Sequence, residues 1–357
     1  MPDYDELLQG LQSDDERDRA FAVEDIVYEG IPEGLDLLIH HLVQEKSRFV
    51  REVIVNNLPQ MERPDLVAKL LPLLRSDDAF IRNSVIDIVS QKRDEVVAYL
   101  EPLMEDADKD VRKFALDILF QLKTTEVTPY MINFLHDSDI NIIITAVEYI
   151  GQLEDKTAGD AINQVLLEAQ NLLLRCTCLE SLAKIGNAQS PEIVARMFPD
   201  PDSIKGLELF SYLKFVAKQG DASTLPFVLS LMKSKGRLLA KEIINTLEGI
   251  LERGAQANLA EEMVGEILTF IGSDINAINK YELLGFLGQF HNSAIFEPLV
   301  QYTRDPDKLV ALGAIEGLGL MGRIEALPIL KDLQQSAEDE DMLDAIQKSL
   351  QQLEQIR

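Results

Sequence analysis

Between Met104 and Leu119 the apolar positions Val111, Ala115, Ile118 and Leu119 share one helical face, and they follow an acidic turn, Glu105-Asp106-Ala107-Asp108. The same order recurs at Leu74–Arg82, where Ser76-Asp77-Asp78 is the turn and Val85 and Val89 continue the apolar face. It recurs again at Leu11–Arg19, with Ala22 and Ile26 following. The chain is therefore built from repeats of one helix, a turn and a second helix.

The last core position of each second helix gives the period. Ile26, Leu58, Val89, Leu119, Ile150, Leu182, Leu213, Leu247, Leu287, Leu318 and Leu350 are separated by 32, 31, 30, 31, 32, 31, 34, 40, 31 and 32 residues. Eleven repeats of about 31 residues account for nearly the whole chain, and each has room for a helical hairpin that stays half-exposed unless its neighbours stack on it. The fold expected is all-α, a solenoid of about eleven two-helix repeats forming one domain over residues 1–357. It is most regular over 1–187, irregular over 188–292, and closed by C-terminal repeats and a cap over 293–357. Pro102 and Pro129 predict a bend or late start in two first helices. The steps of 34 and 40 point to a lengthened loop or helix extension around Glu252–Asn258. Gly313 and Gly317, four apart on one helix, predict close helix packing, because each costs about 1 kcal/mol of helix propensity.

The period and signature exclude tetratricopeptide and ankyrin repeats. The Leu74…Asp77…Ile81-Arg82 and Met104…Asp106…Val111-Arg112 patterns resemble HEAT repeats, specifically the short class described in phycobilisome lyases. That resemblance implies a right-handed solenoid whose second helices line an inner, concave surface. It also implies a ladder between stacked repeats, made by turn acids (Asp14, Glu45, Asp77, Asp106, Asp137, Asp200) and basic residues that open the second helices (Arg19, Arg51, Arg82, Arg112, Arg175, Lys205). The fifth repeat has Ile143 in place of the base.

Charge narrows the partners. With 61 acidic against 34 basic residues, the formal charge is −27, which opposes nucleic-acid and anionic-membrane binding and favours a protein partner with a basic or mixed-charge surface. No apolar run reaches membrane-spanning length, and the N-terminus has no basic region followed by an apolar core. A cytoplasmic protein of a bacterium or archaeon, monomeric, is expected. Cys176 and Cys178 sit two apart on one helix and point in different directions, so no disulfide joins them. Cys178 occupies a core position, and helix phase places Cys176 nearer the surface.

Two positions before each core anchor lies a residue about 200° around the helix, on the exposed face. In repeats two to five, this position and the one four residues later read Asn56/Gln60, Asp87/Gln91, Asp117/Gln121 and Glu148/Gln152; Tyr28 and Glu180 extend the series. Under the resemblance, these ten residues form an acidic, amide-rich ribbon along the concave surface, suited to an extended backbone or a basic helix. No metal-ligand spacing occurs among His40, His41, His136, His291 and the two cysteines. No phosphate-binding glycine loop or nucleophile motif is present either. The sequence thus predicts a protein-binding scaffold or adaptor with no cofactor and no catalytic residue. The alternative that the resemblance raises is a phycobilin lyase, or a lyase-like chromophore carrier, acting on a protein acceptor.

Overall fold

The structure is a computed structural model and describes residues 4–253, 260–290 and 292–355. Those residues are helical, with turns and short 3₁₀ segments and no strand among them. They fall into two compact units, residues 1–161 and 162–357. Each is a stack of helical hairpins in which successive second helices pack side by side.

In the N-terminal unit the second helices are Glu16–Tyr28, Arg48–Asn57, Ala79–Gln91, Lys109–Gln121 and Ile140–Leu153. The acidic turns start them. Asp15, Asp78, Asp108 and Asp139 each hold an extended backbone and accept a hydrogen bond from the amide two residues on, and Ser47 caps its helix through the Val50 amide. Each such cap contributes about 1 kcal/mol. The first helices are shorter and broken, as their prolines require. Leu66–Leu70 passes into the 3₁₀ turn Leu71–Arg75, with Pro72 near its start. Arg93–Val96 and Leu100–Met104 are separated by the 3₁₀ turn Val97–Tyr99, because the Pro102 ring clashes with the carbonyl four residues back. Pro129 opens the Thr128–Asn133 helix.

In the C-terminal unit the second helices are Leu172–Ile185, Gly206–Gln219, the latter half of Leu225–Arg253, Ala277–Gly288, Lys308–Met321 and Glu340–Glu354. Gly186 and Gly322 end two of them in the left-handed region, where a side chain is strained. The stretch Leu225–Arg253 carries both helices of the eighth repeat with no intervening turn. They meet at Leu239, whose φ of −120° and ψ of 20° break the helical geometry. The irregularity expected around Glu252–Asn258 therefore begins earlier, at this elbow; residues 254–258 lie outside the described residues, as does His291.

All eleven core anchors are buried, ten of them with 1% or less of their surface exposed and Leu350 with 8%. Burying one such leucine or isoleucine contributes about 1.5–3 kcal/mol, and the anchors recur once per repeat, so each repeat depends on its neighbours for most of its core.

The glycines of the C-terminal unit let helices approach closely. A Cβ on Gly288 would collide with the Gly317 backbone, one on Gly313 or Gly317 with the Tyr281 or Leu284 backbone, and one on Gly249 with Ala217. Close packing is thus the reason for Gly313 and Gly317.

Candidate functional site

The edge where the turns lie is tied by ions. Arg19 donates to both oxygens of Glu45 (2.8 and 3.1 Å) and to the carbonyl of Ser13 in its own turn (2.8 Å). Arg112 does the same with Asp137 (2.7 and 2.9 Å) and the Asp106 carbonyl (2.9 Å), while Arg51 reaches Asp78 at 2.6 Å. Burial alone would raise the Glu45 carboxyl, but the Arg19 guanidinium and the Ser47 amide bring it down to about 2. The Arg112 guanidinium likewise holds Asp137 below the usual carboxylate range.

The expected ladder is present in part: Lys205 and the Asp200 carboxylate join no ion pair among the described residues, and other rungs change partner. Asp78 takes the role assigned to Asp77, and Arg175 pairs with Glu208 at 2.5 Å instead of with Asp200. Among the described residues Arg82 meets no turn acid. It donates to the Ser76 carbonyl and lies over the Phe114 ring, as Arg51 lies over Phe80, while Asp106 is taken by Arg75. At the missing rung, Asp137 is held by Arg112 from the preceding repeat, and Asp139 caps its own helix while accepting from Lys109.

The exposed side of the second helices carries the predicted ribbon residues. Tyr28 is 86% exposed. Asn56, Gln60, Asp87, Gln91, Gln121, Glu148 and Gln152 are also exposed. Asp117 and Glu180 are half-buried and engaged. Asp117 accepts from Lys113 Nζ (2.5 Å) and from the Tyr149 hydroxyl (2.9 Å), whose ring stacks on Phe120 at 4.0 Å. Glu180 accepts from Ser211 Oγ (2.9 Å) and Lys214 Nζ (3.0 Å), all within the C-terminal unit.

The amides are partly committed as well. Gln121 donates to Asp87 across the repeat junction (3.1 Å), and Gln152 donates to Glu148 (3.0 Å). Gln60 and Gln91 bond the carbonyls of Asn56 and Asp87 one turn back. Each amide keeps a carbonyl oxygen and a second N–H for other partners. In the N-terminal unit the structure thus joins Asp87, Gln91, Asp117, Gln121, Glu148 and Gln152 into one polar surface over three adjacent second helices. It makes Asp117 a structural member of that surface. Sequence reading missed Phe21, which is 63% exposed and stands seven residues before Tyr28, hence on the same helical face. That spacing was the signal available for finding it.

Cys176 corrects an expectation: it is buried, 3% exposed, beneath the neighbouring helix that carries Ser211. Burial raises its thiol, and the fully buried Cys178 more so, which leaves little reactive thiolate on either. A cavity of about 470 Å³ opens between the first helices of the fourth and fifth repeats, lined by Glu101, Met104, Glu105, Asn133, Phe134, His136 and Asp137. Among the described residues no cluster of His, Cys, Asp and Glu is arranged to hold a metal, and no helix is long and apolar enough to cross a membrane.

The sequence matches the model of HEAT repeats over residues 4–90, 97–183 and 269–351. The chain belongs to the HEAT-repeat proteins. The gap between the second and third matches contains the fused eighth repeat, whose missing turn departs from the HEAT grammar. No curated protein is similar enough to this HEAT chain to count as a match. Among solved structures, importin beta is 12% identical with a TM-score of 0.62, covering 98% of this chain and 57% of its own. Kap121p is 14% identical with a TM-score of 0.59, and Kap121p bound to Nup53p is 13% identical with the same score; both cover all of this chain and 46% of their own. The chain therefore spans about half the length of these proteins, and at such identity the likeness concerns the HEAT solenoid fold alone.

Proposed function

We propose that this HEAT-repeat chain is a non-catalytic adaptor that binds another protein along the second-helix face of its N-terminal unit. The observation that carries the reading is the continuous polar surface from Asp87 to Gln152, in which Gln121 bonds Asp87 and Tyr149 bonds Asp117 across successive repeats. Groups held in this way lose little conformational freedom when a partner arrives. Asp87 and Glu148, exposed and negative, supply attraction to a basic or mixed-charge segment, the Gln91, Gln121 and Gln152 amides pair with its polar groups, and Asn56, Gln60 and Tyr28 extend the contact. Glu180 would serve the same kind of partner from the C-terminal unit, with Lys214 displaced. Solenoid neighbours agree in kind, since Kap121p has been seen bound to a protein, Nup53p.

The lyase reading and the assignment to the short, phycobilisome-lyase class of HEAT repeats gain no support from the site. With Cys176 buried, the one thiol that helix phase placed near the surface is not available to a chromophore. A cytoplasmic, monomeric adaptor is the form proposed.

The test is affinity capture from native lysate with wild type and an Asp87→Lys/Glu148→Lys variant. Asp117 is left intact because it holds Lys113 and Tyr149. A basic partner retained by wild type and lost by the variant, at unchanged circular dichroism, is the expected result. Equal capture by both proteins refutes the assignment.

A further inference from the structure

The position two residues before the core anchor differs between alternate repeats of the N-terminal unit. In the first, third and fifth repeats it holds Glu24, Asp87 and Glu148, all exposed, and none meets a Lys or Arg among the described residues. Asp87 and Glu148 accept from the neutral amides of Gln121 and Gln152. In the second repeat the position is Asn56. In the fourth it is Asp117, which Lys113 Nζ and the Tyr149 hydroxyl already occupy. Within the other unit, the sixth repeat shows the same arrangement, with Lys214 Nζ on Glu180 at 3.0 Å. The acids at this position thus seat a cationic side chain where the chain supplies one, and three such seats in the N-terminal unit stand open.

The seat at Glu24 also has aromatic walls. Phe21 stands three residues before it and Tyr28 four after, 63% and 86% exposed on the Glu16–Tyr28 helix. Seven residues of helix set these two about 10.5 Å apart on one face. Elsewhere in the same unit arginine covers aromatic rings: Arg51 lies over Phe80 at 4.5 Å and Arg82 over Phe114 at 5.6 Å. Among the described residues no arginine lies over Phe21 or Tyr28. An arginine from outside can lay its guanidinium on one of these rings and donate to Glu24.

Resting on the reading that this face binds a protein, we infer that the partner is an extended segment carrying three arginines, one at every sixth position, for Glu24, Asp87 and Glu148. Packed helices stand about 8–10 Å apart, so seats in alternate repeats lie about 16–20 Å apart. An extended chain advances about 3.3 Å per residue and turns successive side chains to opposite faces. Six residues cover about 20 Å and bring the side chain back to the same face, whereas five cover about 16 Å and turn it away. The Gln91 and Gln121 amides, each with a carbonyl oxygen and an N–H to spare, can pair with the backbone of an extended chain; a helix has already bonded its own.

The experiment titrates labelled synthetic peptides with the full chain and reads fluorescence anisotropy. One peptide has three arginines at every sixth position with Gly, Ser and Thr between. A second has the same composition with arginine at every fifth position, and a third is an alanine-rich helix with arginine at every fourteenth. The first is expected to bind at least about tenfold more tightly than either control, and more weakly as salt is raised. Phe21→Ser/Glu24→Gln should weaken it about tenfold, and Asp87→Lys/Glu148→Lys should abolish binding. All four side chains are exposed, so circular dichroism should stay unchanged. Equal binding of the first two peptides, tighter binding of the helical one, or wild-type binding by Phe21→Ser/Glu24→Gln overturns the spaced-arginine partner. So does the absence of binding by all three peptides; the adaptor reading then still stands if lysate capture is lost in Asp87→Lys/Glu148→Lys. Wild-type peptide binding by Asp87→Lys/Glu148→Lys overturns the acidic face itself.

Discussion

The two compact units solve one problem, the joining of repeats, in different ways. In the N-terminal unit, charged side chains span the junctions: Arg19 to Glu45, Arg51 to Asp78, Arg112 to Asp137. In the C-terminal unit ion pairs persist, Arg175 to Glu208, Lys233 to Glu266 and Lys308 to Asp339 and Asp341, but several junctions there also bring backbone against backbone, at Gly249, Gly288, Gly313 and Gly317. The surfaces differ accordingly. Residues 1–161 hold 34 acidic and 16 basic residues, a net of −18, and residues 162–357 hold 27 and 18, a net of −9. Three second helices of the first unit present carboxylates and amides; in the second unit the Gly206–Gln219 helix presents Leu207, Phe210, Lys214 and Lys218. A junction made by side chains tolerates changes of partner, as Arg82 over Phe114 illustrates, whereas a glycine junction tolerates almost none.

The largest effect should therefore come from a single methyl group. Gly288→Ala and Gly317→Ala should each destabilise the protein by about 3 kcal/mol, because the added carbon meets backbone that cannot move aside. Gly285→Ala, where a Cβ meets nothing within 4 Å, should instead stabilise by about 0.5–1 kcal/mol through helix propensity. Urea melts of the three variants check both signs. If Gly288→Ala and Gly285→Ala shift the midpoint in the same direction, close packing is not what these glycines provide.

Next in size is the ion ladder. Glu45 is 4% exposed, and Glu45→Gln should cost about 2 kcal/mol by leaving Arg19 without its counter-ion. Its carboxyl is depressed to about 2, so its contribution is complete above the ordinary carboxylate range and is lost as pH falls from about 4.5 toward 2. Asp137, depressed by Arg112, adds to the same acid limb. Stability measured from pH 7 down to 2 should decline in that window, and less steeply in Arg19→Ala. The smallest effect is expected at the exposed pair Arg48 and Glu52, where Arg48→Ala should stay within about 0.5 kcal/mol.

Much of this architecture was legible in the sequence, since a leucine, isoleucine or valine returning about every 31 residues is the direct imprint of stacking, and all eleven such positions are buried. Acidic N-caps were legible for the same reason: a turn before a helix needs an acceptor. What escaped was whatever depends on the neighbouring helix. Cys176 was placed near the surface by the phase of its own helix, yet a second helix in the stack is covered by its neighbours on either side, and Cys176 lies under the helix that carries Ser211. Asp117 was read as free carboxylate because Tyr149, 32 residues away, is brought to it only by the repeat register. The elbow at Leu239 escaped because a lost turn changes the period without saying where. Of the candidate face, the exposed positions were readable; the cross-repeat bonds that order them were not.

The most direct measurement of the proposed function is photo-crosslinking in the native cell from Gln91 and Gln152, with Glu101 on a first helix as the comparison site. A shared adduct from Gln91 and Gln152, absent at Glu101 and lost when Asp87 and Glu148 are changed to lysine, is the result predicted. Adducts that are the same from all three sites, or none from Gln91 and Gln152, would contradict the assignment of binding to the second-helix face.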